Sequence, residues 1–350
     1  MTDRAPVEIL HLLHEVSIGR VLDEASSRRV FDAILAGRLT DLDIRQLLEG
    51  LQRRGPTVDE LVGAARAMRT HVTPINVSAL PGPVIDTCGT GGAPKTFNVS
   101  TIAALVVAAA IPGRIFVAKH GNRSRTGRGS AEVLSALGVH VDAGLPVQER
   151  CLRECGVCFC FAIHHHPAAR FAGPARRAIG SPTIFNLLGP LTNPAGAAHQ
   201  LLGVYDPSLA LTVANALARL GSDRSLVVHG HGGMDELSTT GPNRVWAVEG
   251  ESMVAGSLDA SDYGFAPSKP DELVVGSLEA AVGLARAILR GEGGPCRDMV
   301  VFSAGVALAT ALRGVTIGDA CEKAQEAIDS GSAAATLASL GRLSNERPVD

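Results

Sequence analysis

Through the first 72 residues, apolar positions recur at helical spacing and never alternate as in a strand. Ile44, Leu47, Leu48 and Leu51 follow the i, i+3, i+4, i+7 rule and share one helix face. "RRGPTVDE" stops that helix at Gly55, and Thr57 with Glu60 forms a capping box that opens a second helix over "LVGAARAM". Residues 1–72 therefore read as a small all-α domain, and "VTPINVSALPGP" (72–83) reads as a linker. Beyond it the pattern changes. "PVIDTC" (83–88) and "RIFVAKHG" (114–121) are strand-like, while "STIAALVVAAA" and "SAEVLSALG" (130–138) are helical. The alternation runs to about residue 250, which predicts βαβ units and a mainly parallel central sheet flanked by helices. The last third is mostly helical, as in "SLEAAVGLARAIL" (277–289) and "DACEKAQEAID" (319–329). The expected fold is α/β, with a small N-terminal α domain and a larger α/β domain over 73–350.

Composition narrows the class. Of 350 residues, 46% are hydrophobic and only 3% aromatic, with 39 glycines, which suits a helix-rich α/β protein better than a β-sandwich. A net charge of −3 argues against a nucleic-acid protein driven by global electrostatics, but leaves room for a local basic pocket. The longest apolar run, "IAALVVAAA" (102–110), is too short to cross a bilayer, and "MTDRAPVEILHLLHE" lacks a signal pattern. Seven unevenly spaced cysteines read as reduced thiols, so the expected location is cytoplasmic.

Three loops carry candidate chemistry. In "DTCGTGGAPKTFNVST" (86–101), Gly89, Gly91 and Gly92 follow a strand, and Ser100 and Thr101 open the next helix. Glycines let the backbone approach a phosphate, and the helix N-terminus points N–H groups at an anion. Asn98, Ser100 and Thr101 add side-chain donors. By composition alone the loop is either such a cradle or a tight strand-to-helix connection. "KHGNRSRTGRGS" (119–130) repeats the design before what reads as a Ser-capped helix, with Lys119, Arg123, Arg125 and Arg128. So many cations in an acidic protein suggest a highly charged phosphorylated ligand, the bland alternative being a solvated basic loop. In "VVHGHGGMDELS" (227–238) a β-rich run ends at Asp235 and Glu236, hard oxygen ligands of the kind Mg²⁺ takes beside phosphate.

These stretches, with "HHPAARFAGPARR" and "GSPTIFNLLGPLTNPA", resemble the anthranilate phosphoribosyltransferases almost end to end. The resemblance implies a homodimer formed through the small α domain, a helical segment around 164–190 joining that domain, and nothing to suggest membrane or nucleic-acid partners. It also implies transfer of the 5-phosphoribosyl group of 5-phosphoribosyl 1-diphosphate (PRPP) to anthranilate, with Mg²⁺, in tryptophan biosynthesis. Carried over by matching position, Gly89, Gly91, Gly92, Thr96, Asn98, Ser100, Thr101, Lys119 and Ser130 would bind PRPP. Ser100, Asp235 and Glu236 would hold metal; Asn122 and Arg176 would meet anthranilate, with Gly89 lining its site and His120 nearby. No strong general base is expected, and His120 is the one candidate. Transfer to another aromatic amine, or a non-catalytic nucleic-acid-binding role on the same fold, are the alternatives.

Two departures stand out. The family usually reads Gly-Thr-Gly-Gly-Asp, whereas Ala93 and Pro94 follow Gly92 here, and Thr96 arrives one residue early. The second loop is about one residue shorter and more basic than usual, so either Arg125 or Arg128 takes on PRPP phosphate binding with altered metal dependence, or the loops are a lineage-specific variant with normal activity. Cys151, Cys155, Cys158 and Cys160, followed by His164, His165 and His166, resemble a metal or redox motif. Their alternation with Val157, Phe159 and Phe161 instead indicates a buried strand, with His166 shaping the aromatic pocket and Trp246 in the core.

Overall fold

A computed structural model describes residues 6–93, 96–124 and 126–346. Seven strands form one sheet: β1 (Val84–Gly89), β2 (Phe116–Gly121), β3 (Val157–Phe161), β4 (His199–Gly203), β5 (Arg224–His229), β6 (Asn243–Glu249) and β7 (Ser252–Leu258). Their order is β3-β2-β1-β4-β5-β6-β7. The first five run parallel, and β6 and β7 add antiparallel. β3 and β4 are buried at every position, which explains their unbroken lack of charge. Alternation of strand and helix ends at β5: a loop, not a helix, leads to β6, and that loop carries Asp235 and Glu236.

Successive strand residues point to opposite faces and feed two cores. On one face Ile85 and Leu201 join helix Val99–Ala110 and the C-terminal helices Pro295–Ala311, Ile317–Asp329 and Ser332–Asn345. On the other, Leu202, Val227 and Trp246 join helix Pro207–Arg219 and the N-terminal helices. Those N-terminal helices, Val7–Ser17, Glu24–Leu35, Asp41–Arg54 and Val58–Thr70, bury Ile44, Leu47, Leu48 and Leu51. Gly55 (φ 76°) ends the third, and the Thr57–Glu60 capping box opens the fourth. Helices Gly173–Ile179 and Ile184–Leu191 contribute Ala175, Phe185 and Leu188 to the same core, so the small bundle is welded to the sheet. Arg219 adds ion pairs to Asp59 and Glu24 across the seam, and Arg69 donates to the carbonyls of Leu191 and Leu220.

The strand order places β1 between β2 and β4, so successive crossovers leave it in opposite directions. That is a topological switch point, where the carboxyl ends of parallel strands open a crevice. β1, β2 and β4 all end in glycine there: Gly89, Gly121 and Gly203.

Candidate active site

A pocket of about 850 Å³ occupies this crevice. Of the site residues named from sequence, Gly89, Gly91, Gly92, Thr96, Asn98, Ser100, Thr101, Lys119, His120, Asn122, Arg128, Ser130, Arg176, Asp235 and Glu236 line it, whereas His166, expected to shape the aromatic pocket, does not and packs against His120. Arg125 lies outside the described residues.

The first loop is built around a close approach. A Cβ on Gly89 would sit 2.9 Å from Asp235 Oδ2, and one on Gly203 would strike the Asp235 main chain. Only bare backbone lets the 235–236 segment pack onto the ends of β1 and β4. Gly91 N–H then donates to Asp235 Oδ2 (2.8 Å), and Ser100 N–H lies 3.4 Å from Glu236 Oε1 at the start of helix 99–110. Gly91 and Gly92 have φ of 66° and 100°, conformations a side chain would strain.

Lys119 is buried and spans the pocket floor. Its Nζ donates to Thr87 O (2.5 Å) and lies 3.4 Å from Ser100 Oγ. Beside it, Asp86 is fully buried, accepting from His120 N–H (3.0 Å) and Asn193 Nδ2 (2.8 Å). Burial raises the Asp86 pKa, while Lys119 and those donors oppose the rise. Glu236 is pushed up to about 7 by burial and by neighbouring Asp235, against the pull of Lys119. Adjacent carboxylates, Glu236 among them desolvated, with one hydroxyl, Ser100, are a donor set that a hard divalent cation would relieve. These residues fit Mg²⁺, with water or ligand oxygens completing its shell.

The opposite wall comes from the segment that ties the small bundle to the sheet. Arg176, on helix 173–179, holds its guanidinium 5.2 Å from the centre of the Phe185 ring, and burial lowers its pKa. His120 Nδ1 faces the Gly189 carbonyl oxygen at 3.0 Å, so Nδ1–H donates and Nε2 is left a bare acceptor. That Nε2 is buried without a hydrogen-bond partner among the described residues. Burial, then the nearby His166 and His165, holds His120 well below the usual histidine range. His166 packs against it with the rings tilted by 53° and their centres 5.0 Å apart, and burial pushes its pKa down to about 4.

The second loop differs from its sequence reading in two respects. Its helix starts at Ser130, but the cap position is Gly129, whose N–H donates to Glu132. Ser130 Oγ instead reaches the Asn122 carbonyl at 3.4 Å. Arg128 donates through Nη1 to the Val275 carbonyl, tying the loop to the segment before helix Leu278–Leu289. Asn98 Nδ2 donates to the Arg128 carbonyl (3.1 Å), linking the two loops.

Sequence reasoning assigned no role to Thr90, Arg177, Asn186, Gly189 or Pro190, all of which line the pocket. The signal was present: "TIFNLLGPLTNPA" carries three of them, yet its pattern does not reveal which way each side chain turns. The cysteine stretch lies elsewhere. Cys158 and Cys160 are buried in β3 with sulfurs 3.7 Å apart, and burial pushes Cys151 up to about 12 and Cys155 to about 11. Among the described residues no three His, Cys, Asp or Glu side chains are grouped to hold a metal, and no helix is long and apolar enough to cross a membrane.

Comparison with known proteins agrees with this architecture. Residues 10–72 match the helical bundle domain of a glycosyl transferase family, and residues 81–334 match its a/b domain. The anthranilate phosphoribosyltransferase of Moorella thermoacetica is 44% identical over 331 residues, covering 94% of this chain and 96% of the relative. The crystal structure of the Thermus thermophilus enzyme of that name superposes with a TM-score of 0.89 at 39% identity, covering 96% of this chain and 99% of that one. A Saccharomyces cerevisiae enzyme, solved in complex with PRPP and Mg, shares the fold with a TM-score of 0.86 at 22% identity, covering 97% and 98%. The chain belongs to the anthranilate phosphoribosyltransferase family.

Proposed function

We infer that this protein transfers the 5-phosphoribosyl group of PRPP to the amine of anthranilate, releasing diphosphate, as a cytoplasmic step of tryptophan biosynthesis. One observation carries the reading beyond family membership. A cationic, glycine-lined phosphate cradle and an Arg176–Phe185 wall face each other across a single pocket, with a carboxylate pair between strand ends.

The glycine loop and the N-terminus of helix 99–110 receive PRPP phosphates, and Lys119 lies beneath the departing diphosphate. When bound at Asp235, Glu236 and Ser100, Mg²⁺ supplies positive charge to phosphate oxygens. As the glycosidic bond of PRPP breaks, charge builds on the leaving oxygens, and the fixed Lys119 ammonium is already in place to meet it. Arg176 suits the anthranilate carboxylate, because a guanidinium fork bonds both oxygens, and Phe185 offers an apolar edge beside it. Asn122, at the end of β2, sits where it can orient the amine. His120 is too weakly basic in its neutral, buried state to remove a proton early; its bare Nε2 accepts an N–H. The aromatic amine therefore gains chiefly from positioning. Arg128, linked to Val275, holds the second loop over the phosphates. The unit is proposed to be a homodimer, with Val7, Leu10 and Leu42, exposed apolar residues of the first and third helices, at its interface.

The test is product identification. Purified protein, PRPP, Mg²⁺ and anthranilate should yield equimolar diphosphate and N-(5-phosphoribosyl)anthranilate by mass spectrometry. Diphosphate without the adduct would contradict the reading.

A further inference from the structure

Beyond Phe185 and the Gly189 carbonyl, the "TIFNLLGPLTNPA" stretch has no place in the chemistry above, yet its polar groups bond to three strands. Asn193 holds Asp86 of β1 and the Ala118 carbonyl of β2, both at 2.8 Å, and Gln200 of β4 donates to the Pro190 carbonyl at 2.7 Å. The remaining arm is Asn186, on the first turn of helix 184–191. Its Oδ1 accepts from Thr183 N–H (3.0 Å), closing the capping box, and its Nδ2 donates to the Thr90 carbonyl (3.3 Å).

That carbonyl belongs to the peptide unit joining Thr90 to Gly91. The same planar unit presents its N–H, from Gly91, to Asp235 Oδ2 at 2.8 Å. In a trans peptide the C=O and N–H point in opposite directions, so fixing one fixes the other. Thr90 is held from further sides: its N–H donates to Gly203 O (2.9 Å), and its Oγ1 accepts from Tyr205 N–H (3.2 Å). Neither bond constrains rotation of the Thr90–Gly91 peptide plane itself. Gly91, at φ 66°, has the freedom to let that plane turn. Asn186 is the side chain that opposes such a turn from the acceptor wall.

We propose that Asn186 is a positioning residue: through the Thr90–Gly91 peptide it sets the orientation of the Asp235 carboxylate and of the phosphate loop. It touches neither substrate nor metal in this role, and couples the anthranilate side of the pocket to the PRPP side. The inference rests on the function proposed above.

Asn186→Asp separates the two arms of the side chain. A carboxylate still accepts from Thr183 N–H, so the helix cap survives, but it has no donor for the Thr90 carbonyl and repels it. Direct hydrogen-bond partners of a metal ligand are worth about 10–100-fold when lost, and Asn186, one peptide further out, falls at the lower end, about tenfold. The expected result is a fall of about that size in kcat/KM for PRPP and weaker Mn²⁺ binding by EPR with PRPP present. Anthranilate binding by equilibrium fluorescence should stay within about twofold of wild type, and the melting temperature should hold. Asn186→Ser, whose short hydroxyl cannot span to Thr90, should reproduce the loss without added charge. Wild-type values for PRPP and Mn²⁺ in either folded variant would overturn the proposal, as would an equal loss of anthranilate binding. Wild-type protein that forms no adduct would instead defeat the functional reading on which it rests.

Discussion

Arg176→Lys tests the acceptor wall with the least disturbance, because it keeps the charge and removes the fork. The guanidinium is half-buried in the pocket wall and lies over Phe185, which is itself 5% exposed, so it offers a planar donor pair against a fixed ring. Each hydrogen bond to a charged group is worth about 1.5–3 kcal/mol. A lysine can supply one such bond from a longer-range point charge, and it loses the ring stacking, worth about 0.5–1 kcal/mol. The net loss is about 2–4 kcal/mol, which at 1.4 kcal/mol per decade is about 30–700-fold in anthranilate affinity. The assay is kcat/KM for anthranilate at saturating PRPP, paired with equilibrium quenching of anthranilate fluorescence so that binding is read apart from turnover. The PRPP KM should stay within about twofold, since the cradle lies across the pocket. An unchanged anthranilate constant, or an equal rise in the PRPP KM, would refute the assignment.

Gly89→Ala places a methyl 2.9 Å from Asp235 Oδ2 and 3.0 Å from its main-chain oxygen, and should abolish Mg²⁺-dependent turnover and lower the melting temperature while circular dichroism stays near wild type; retained turnover would mean the carboxylate does not matter there. Leu42→Glu, on a side chain 63% exposed in the third helix, should convert the dimer to a monomer in light scattering; a monomeric wild type would end that proposal. Stability should also depend on pH in a stated direction. His166 titrates near 4 when folded against about 6.5 unfolded, so the unfolded chain binds the extra proton and stability is lost as pH falls from about 6.5 towards 4. The loss reaches about 3 kcal/mol from this residue, and His166→Gln should flatten urea midpoints over that range; an unchanged slope would place the charge elsewhere.

How far the sequence revealed this molecule depends on the distance over which each signal acts. Gly55, the Thr57–Glu60 box and the Ile44-to-Leu51 stripe are local, and each appears in the structure as read. Glycine after a β-rich run located the crevice, since Gly89 is there for a close approach by a segment far along the chain. The helix Pro295–Ala311 is apolar on all sides because it is sandwiched between the sheet and other helices, so its period is blank in sequence. The antiparallel turn of β6 was equally hidden: nothing in "RVWAV" states the direction of its partner. Ser130 looked like a cap because serine usually is one, but Glu132 reaching back to Gly129 takes that place. Asn186 is the sharpest case. Its neighbours in sequence are helix core residues, and its meaning appears only when Thr90 folds against it.

The most direct measurement is the decay of anthranilate fluorescence with purified protein and PRPP across a Mg²⁺ titration. The account requires PRPP-dependent decay that rises with Mg²⁺ to saturation, even though the first loop has Ala93 where the family usually has Asp. Folded protein that leaves the fluorescence unchanged at every Mg²⁺ concentration would contradict it.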